Sequence, residues 1–458
     1  MNLDIVILAA GKGTRMNSNI PKVLHRLGGD SMLGHVLSAA GELSSNSIHI
    51  VVGYGADQIK DELSAREDLH WALQEQQLGT GHAVMQAMPK IDTKNAENRV
   101  LVLYGDVPLT NASTLRDLVQ GGDGNTLSIL TLVTDQPAGL GRIVRDSSGA
   151  ITAIVEEKDA SEEQKQIKEI NTGIMAIPAA KLSSWLDSLG NDNAQGEYYL
   201  TDVVAMAAAD EDCRISAMVI HDVNEVQGVN DKAQLAGLER QFQMNKAEQL
   251  LEAGVLLRDP ARIDIRGDIE TGSDVEIDIN AIFEGNVSLG NGVKVGANVV
   301  IKDSTIADNV TILSGTNIDG AEIGKGAIVG PYARLRPGTV LKENTKIGNF
   351  VETKNAVIGK GSKANHLAYI GDAELGENVN IGAGAIFCNY DGANKHKTVL
   401  GNNVFVGSNS VLVAPLIIAD NTFVAAGSTV NSDVPADSLA VARAKQRNIP
   451  GWKRPTKK

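Results

Sequence analysis

Cysteine is nearly absent: Cys213 and Cys388 are the only two in 458 residues. Two thiols are too few for a disulfide framework or a cysteine metal cluster. Aromatic residues make up only 3% of the chain, against 47 glycines. Its core must therefore be built from small aliphatic side chains, as in solenoids rather than aromatic-rich sandwiches. Positive charge is also in deficit, with 42 Lys and Arg against 56 Asp and Glu and a formal net charge of −14. That balance argues against nucleic-acid binding, which needs a basic field. It also requires any anionic substrate to be met by a local cationic site or a metal. No apolar run approaches the ~20 residues of a membrane span. Residues 1–7 lack the basic start and cleavage site of a secretory leader. The expectation is a cytoplasmic protein that does not enter membranes.

What is present falls into two periods. Up to residue 229, continuous apolar runs at 5–9, 48–52 and 100–104 alternate with helical patterns such as Met32, Leu33, Val36, Leu37 and Ala40, with Ser31 as a plausible N-cap. Such runs imply a mostly parallel, Rossmann-like α/β sheet covered on both faces. Residues 230–255 then read as a helical linker, with Leu235, Leu238, Phe242 and Leu250 able to share a face. From residue 256 to 437 the period is six. Ile277, Phe283, Leu289, Val295 and Ile301 form one register, and Ala281, Val287, Val293 and Val299 follow it four positions on. Ile306, Ile312 and Ile318 form another, then Ile323, Val329, Leu335, Leu341 and Ile347, then Leu400, Val406, Leu412, Ile418, Val424 and Val430. One aliphatic residue per six suits a triangular coil in which each flat face sends one side chain inward to stack on the next coil, ~4.8 Å away. The register slips by one at 301–306 and 318–323, and no hexad spans 387–399, where the chain must loop out. Residues 438–458 form a basic tail without an acidic residue.

In the first half, the strand ending at Ala9 runs into Ala10-Gly11-Lys12-Gly13-Thr14-Arg15-Met16, with Pro21-Lys22 close behind. A glycine turn after a strand presents backbone N–H groups to phosphate. The spelling fits neither a dinucleotide fingerprint, which needs glycine where Met16 stands, nor a P-loop. Arg15 and Lys22 place two cations beside the loop, suited to a triphosphate and a leaving pyrophosphate. A second strand ends in Tyr104-Gly105-Asp106, putting a carboxylate where α/β sheets bind ligands. Asp106 suits Mg²⁺ beside a phosphate, although alone it fits a turn or helix cap better. Gln74, Leu78-Gly79-Thr80-Gly81-His82, Gly141, Glu156, Asn171-Thr172-Gly173 and Gly228-Val229-Asn230 are each unremarkable alone.

As a set, these motifs resemble the sugar-nucleotide pyrophosphorylases. With the hexad half they closely resemble the bacterial bifunctional UDP-N-acetylglucosamine pyrophosphorylase / glucosamine-1-phosphate N-acetyltransferase family, from residue 5 to 455. The resemblance implies that the second half is a left-handed parallel β-helix. It implies that Leu8, Ala9, Ala10, Gly11, Lys22, Gln74, Gly79, Thr80, Tyr104 and Gly105 hold uridine nucleotide and sugar. Gly141, Glu156 and Asn171 would contact the nucleotide sugar, Asp106 and Asn230 would ligate Mg²⁺, and Arg15 would stabilise charge at the reacting phosphate. UTP would then be attacked by N-acetylglucosamine-1-phosphate. One departure is Gln76, where the family commonly has Glu.

In the second half, an acetyltransferase needs a base near neutral pH, and histidine is the natural one. Only His366 and His396 occur there. A lone histidine on a β-helix is more often a solvated surface residue, but Arg336 and Lys354 lie nearby in sequence and Asn389-Tyr390-Asp391-Gly392 opens the hexad-free stretch. By resemblance, His366 is the general base. Arg336, Lys354, Tyr369 and Asn380 would bind glucosamine-1-phosphate, and Ala383, Asn389, Tyr390, Ser408, Ala426 and Arg443 would bind acetyl-CoA. The departures here are Asn365, where glycine is frequent, and Ala385 and Phe387. Family members generally trimerise, so a homotrimer is expected. The alternative is a single-activity sugar nucleotidyltransferase whose β-helix only regulates or assembles, and such a scaffold would not require His366 or the Asn389-Tyr390 loop.

Overall fold

Apolar runs without polar interruption make strands that must be covered on both faces. In the computed structural model, which describes residues 2–457, these strands are β1 (Leu3–Ala9), β2 (Ser47–Val52), β3 (Leu69–Leu73), β4 (Arg99–Tyr104), β5 (Thr126–Val133), β6 (Arg142–Arg145), β7 (Ile151–Val155), β8 (Glu169–Pro178) and β9 (Arg214–Ile220). Met1, the first residue of the 1–7 segment, and Lys458, the last lysine of the tail, lie outside the described residues. The sheet order is β9-β5-β8-β4-β1-β2-β3, with β6 beside β8 and β7 beside β6. All main pairings are parallel except those of β8, which runs antiparallel to β4 and β5.

Alternation along β1 supplies both faces. Leu3, Ile5 and Ile7 join the core built with α1 (Met32–Gly41) and α4 (Ala112–Gln120). Val6 joins the opposite core with α3 (Thr80–Ala87), α5 (Ala179–Asp187) and α6 (Asp202–Ala209). The short α2 is Ala56–Glu62. Ser31 caps α1 as expected, its hydroxyl accepting from the Gly34 amide at 3.0 Å. Leu8 and Tyr104 are register partners at the carboxyl ends of β1 and β4. The loops that follow both strands therefore open on one edge of the sheet, the usual ligand edge of such folds.

The chain divides into two compact units between Phe242 and Gln243, inside α7 (Lys232–Glu252). Leu238 is buried with Met16, Leu27 and Met32 of the first unit, and Leu235 and Phe242 pack against that cluster. Leu250 belongs to the core of the second unit.

The second unit is a parallel β-helix. Ile277 pairs with Val295 and Ile265 with Phe283, eighteen positions on, so one coil is three hexads. The slips produce seventeen-residue coils, as in the pairing of Val295 with Ile312 and Ile301 with Ile318. Every aliphatic residue of the hexad registers is buried, none more than 4% exposed. Leu375 pairs with Leu400 and Phe387 with Leu412, twenty-five positions on. The hexad-free stretch is thus an outgrowth of one coil, over 389–397.

One corner of the helix turns through the left-handed region in nine successive coils, at Asn280, Asn298, Gly315, Tyr332, Phe350, Leu367, Gly384, Asn409 and Gly427. Asparagine and glycine tolerate that backbone, but bulky side chains do so at a cost. Tyr332, Phe350 and Leu367 nevertheless occupy it consecutively, at 59%, 58% and 60% exposure. Tyr332 and Phe350 stack with ring centroids 5.9 Å apart.

Candidate active sites

The loop leaving β1 is shaped by glycine. Gly13 has a φ of 58°, and a side chain there would place Cβ 2.6 Å from Cβ of Lys22. This close approach sets Lys22 against the loop. Its ammonium ion-pairs with Asp106 and lies 3.5 Å from Oδ1 of Asn230. The Gly105 amide donates to the Leu8 carbonyl at 3.0 Å, tying the two strand ends together.

Around this junction is a cavity of about 300 Å³ lined by Leu8, Ala9, Ala10, Gly11, Lys22, Gln74, Gly79, Thr80, Tyr104 and Asp106. Val23, Gln77, Ala83 and Glu197 also line it and were not singled out by sequence. Gln77 stands in sequence between Gln74 and the 78–82 motif, and its amide donates to the Gln74 carbonyl at 3.2 Å. Glu197 had no signal: the backbone of Tyr198 bonds to Leu78 and Gly81 across a long stretch of chain. The Gln74 side chain is buried and donates to the Gly79 carbonyl at 3.1 Å, bracing the turn into α3.

Gly141, Glu156 and Asn171 form a second group outside that cavity. The Asn171 amide donates to the Gly141 carbonyl at 2.9 Å, and a Cβ on Gly141 would sit 3.5 Å from the Glu156 carboxylate oxygens. Burial pushes the Glu156 carboxyl up, opposed by a 3.0 Å hydrogen bond from Thr201. The ring of Tyr104 connects the groups, because a side chain on Gly173 would come within 2.5 Å of it. Burial, and then the charges of Glu156 and Asp106, raise the Tyr104 phenol above its ordinary range. Arg15 is exposed on the turn Thr14–Met16 and has no side-chain polar partner among the described residues. Those residues contain no cluster of three or more His, Cys, Asp or Glu able to hold a metal by themselves. Asp106 and Asn230 instead offer two hard oxygens converging on one cation position, occupied by the Lys22 ammonium.

In the β-helix, His366 is exposed at the left-handed corner, just before Leu367. Its Nδ1 is 2.8 Å from Oδ1 of Asn349, its register partner one coil earlier. The other histidine, His396, is engaged within its own loop, Nε2 lying 2.7 Å from Asp391. Ala383, Ser408 and Ala426 follow at the same corner in later coils: the amides of Gly384, Asn409 and Gly427 bond to Leu367, Ala383 and Ser408. Arg443 closes this column, its guanidinium donating to the Ala426 carbonyl at 2.7 Å.

A cationic cluster occupies the adjacent face. Arg336 pairs with Glu352 at 2.9 Å, and Glu352 is the register partner of Tyr369. Asn389 is buried, donating to Asp372 and reaching the Tyr369 hydroxyl at 3.5 Å. Lys354 faces Lys395, which sequence reading missed. Contact with Lys395, then the charge of that residue, push the Lys354 ammonium below the usual lysine range, and Arg336 adds to the effect. Burial raises the Asp372 carboxyl, but hydrogen bonds from Asn355 and Asn389 and the charges of Lys395 and Lys354 outweigh it and hold the group low. Tyr390 is exposed, its hydroxyl donating to the Gly392 carbonyl at 2.6 Å. Asn380 is not brought to this cluster within one chain. It lies in the other sheet, paired with Lys363 and Phe405.

Comparison with known proteins matches both halves. Residues 5–166 match the MobA-like NTP transferase domain, 265–343 the GMPPB C-terminal domain, and 397–432 the bacterial transferase hexapeptide family of six repeats. The chain is 56% identical over 457 residues to a bifunctional protein GlmU of Pseudomonas entomophila, covering 100% of this chain and 99% of that one. It is 56% identical over 457 residues to the GlmU of Marinobacter nauticus, covering 99% of each. It is 54% identical over 458 residues to that of Stutzerimonas stutzeri, covering 100% of each.

Proposed function

The chain belongs to the GlmU family of bifunctional proteins, and from that membership we propose how its residues divide two consecutive transfers. It is a glucosamine-1-phosphate N-acetyltransferase and a UTP:N-acetylglucosamine-1-phosphate uridylyltransferase. The uridylyl chemistry is assigned to residues 1–229 and the acetyl chemistry to 256–437, joined by a helical linker over 230–255 and followed by the basic tail 438–458.

Acetylation comes first. Arg336, Lys354 and Lys395 bind the phosphate of glucosamine-1-phosphate, with Tyr369 and Asn380 on the sugar. Asn349 Oδ1 can only accept, so it holds the proton of His366 on Nδ1 and leaves the Nε2 lone pair free. Nε2 takes the proton from the substrate ammonium. The amine attacks the thioester carbonyl of acetyl-CoA, an amide C–N bond forms, the C–S bond breaks, and CoA leaves with a proton. Ala383, Ser408, Ala426 and Arg443 along the corner column, with Asn389 and Tyr390 at the start of the outgrowth, hold acetyl-CoA.

In the second transfer a phosphate oxygen of N-acetylglucosamine-1-phosphate attacks the α-phosphorus of UTP, and the bond to the pyrophosphate oxygen breaks. The nucleophile is already an anion, so no base is required. Positioning and charge neutralisation carry the rate. Leu8, Ala9, Ala10, Gly11, Gln74, Gly79, Thr80, Tyr104 and Gly105 hold the nucleotide, while Gly141, Glu156 and Asn171 hold the sugar. Lys22 and Arg15 neutralise the phosphates. Asp106 and Asn230 would hold Mg²⁺, whose contribution when bound is further neutralisation of phosphate charge. Their two converging oxygens suit a hard cation that completes its shell with substrate oxygens and water.

The exposed corner residues Tyr332, Phe350 and Leu367 support a homotrimer. Bulky side chains kept on a strained backbone beside His366, where other coils use Asn or Gly, are explained by cover from a second copy. No described helix is long and apolar enough to cross a membrane, which is compatible with a cytoplasmic enzyme.

The observation carrying this reading is the Asn349–His366 contact next to the Arg336, Lys354 and Lys395 cluster, which a passive scaffold would not need. The test is to incubate the protein with acetyl-CoA, glucosamine-1-phosphate, UTP and Mg²⁺. UDP-N-acetylglucosamine, CoA and pyrophosphate should form. A product seen only when N-acetylglucosamine-1-phosphate is supplied would leave the β-helix without its activity.

A further inference from the structure

Lys22 stands where the proposed metal would be held. Its ammonium is paired with Asp106 and lies 3.5 Å from Oδ1 of Asn230. These are the two oxygens that the function above gives to Mg²⁺. It is the one cation paired with Asp106 among the described residues, and nothing anionic other than Asp106 holds it. The side chain is also confined: Gly13 packs on its Cβ, and it opens the tight turn Lys22–Leu24 directly after Pro21. Both partners are largely shielded, with side-chain exposures of 14% and 19%. A divalent cation entering between Asp106 and Asn230 would meet a positive charge already in place, in a setting where water screens the repulsion poorly.

We propose that Lys22 is a stand-in cation. In the substrate-free protein it neutralises Asp106, keeps Asp106 and Asn230 aimed at one point, and opposes the binding of free divalent metal. A nucleoside triphosphate changes the balance in two ways at once. It brings oxygens that complete the metal's shell, and it offers the ammonium an anion to turn to. Metal and nucleotide then enter together, and a bare metal ion has little hold on the site. This rests on the metal-binding reading of Asp106 and Asn230.

The test uses Mn²⁺ as the probe, counted by the electron paramagnetic resonance of the unbound ion, with full-length protein. Without nucleotide, Lys22→Met should bind Mn²⁺ more tightly than wild type by roughly tenfold, a size usual for coupling between two ligands. Lys22→Arg, which keeps the charge, should stay near wild type. Adding Asp106→Asn to Lys22→Met should remove the gain. A variant that merely misfolds would bind less metal, so the direction of the change separates the two. Equal Mn²⁺ affinity in wild type and Lys22→Met overturns the stand-in role, provided that Asp106→Asn still weakens Mn²⁺ binding in the presence of UTP. If Asp106→Asn leaves that binding unchanged, the metal site itself is misassigned and the stand-in role falls with it.

Discussion

Asn349 and His366 are register partners in neighbouring coils, and the asparagine carbonyl accepts a hydrogen bond from Nδ1 of the imidazole at 2.8 Å. The contact selects one neutral tautomer and aims the other nitrogen outward. Asn349→Ala should slow acetyl transfer about tenfold, a fraction of the ~10²–10⁴ that a positioned base supplies. Asn349→Asp keeps an acceptor at the same place and should retain most of the rate. Uridylyl transfer, assayed on the same preparations, should not change in either variant. Equal acetylation by Asn349→Ala and wild type would remove the positioning role.

The two activities should separate by single substitutions. His366→Ala is expected to lower the acetylation rate by ~10² or more and to leave uridylyl transfer intact. Asp106→Ala is expected to do the reverse. Each reaction would be followed with its own substrate, by CoA release or pyrophosphate release. Near wild-type acetylation by His366→Ala would mean that another group takes the proton.

The lysine pair predicts a pH effect. Lys395 lowers the Lys354 ammonium, so Lys354 loses its charge at a lower pH than an ordinary lysine. Binding of a sugar phosphate should therefore weaken as pH rises through that lowered range. Lys395→Ala removes the main repulsion, and Lys354 then holds its proton to higher pH. The alkaline limb of kcat/KM for glucosamine-1-phosphate should shift upward, even though affinity at neutral pH falls with the lost contact. A limb that stays in place or moves down contradicts the assignment.

The corner stripe predicts an effect on assembly. Phe350→Asn puts a residue suited to the left-handed backbone in place of a strained one, a relief of about 1 kcal/mol. The substitution should not lower the melting temperature through loss of local fold, yet it should shift sedimentation toward smaller species. Tyr332→Asn and Leu367→Asn should act the same way. Persistence of the wild-type sedimentation profile in all three would show that the stripe is not an assembly surface.

The hexad registers were legible because the six-residue period is local: each aliphatic residue at such a position is buried, from Ile277 to Val430. The parallel sheet was legible for the same kind of reason, through uninterrupted runs such as 100–104. Contacts across coils were not. Asn349 meets His366 only because a coil of seventeen residues brings them into line, and Lys395 reaches Lys354 from the outgrowth. No spacing in the sequence marks those two as partners. The Lys22–Asp106 pair was half visible: each residue stood out in its own motif, but their meeting depends on β1 and β4 being neighbours. Glu197 reaches the cavity through backbone pairing with a distant turn, which composition and periodicity do not record.

The outgrowth over 389–397 begins after Cys388 and ends before Thr398, and the strands on either side stack as though it were not there. Its length is thus free of the coil period, while Asn389 and Lys397 tie it to the solenoid through Asp372 and Glu374. Lys395 and Asn389, which touch the cationic cluster, belong to this segment. Changes of length at its exposed tip, around 391–394, are therefore expected to leave the stacked strands in place.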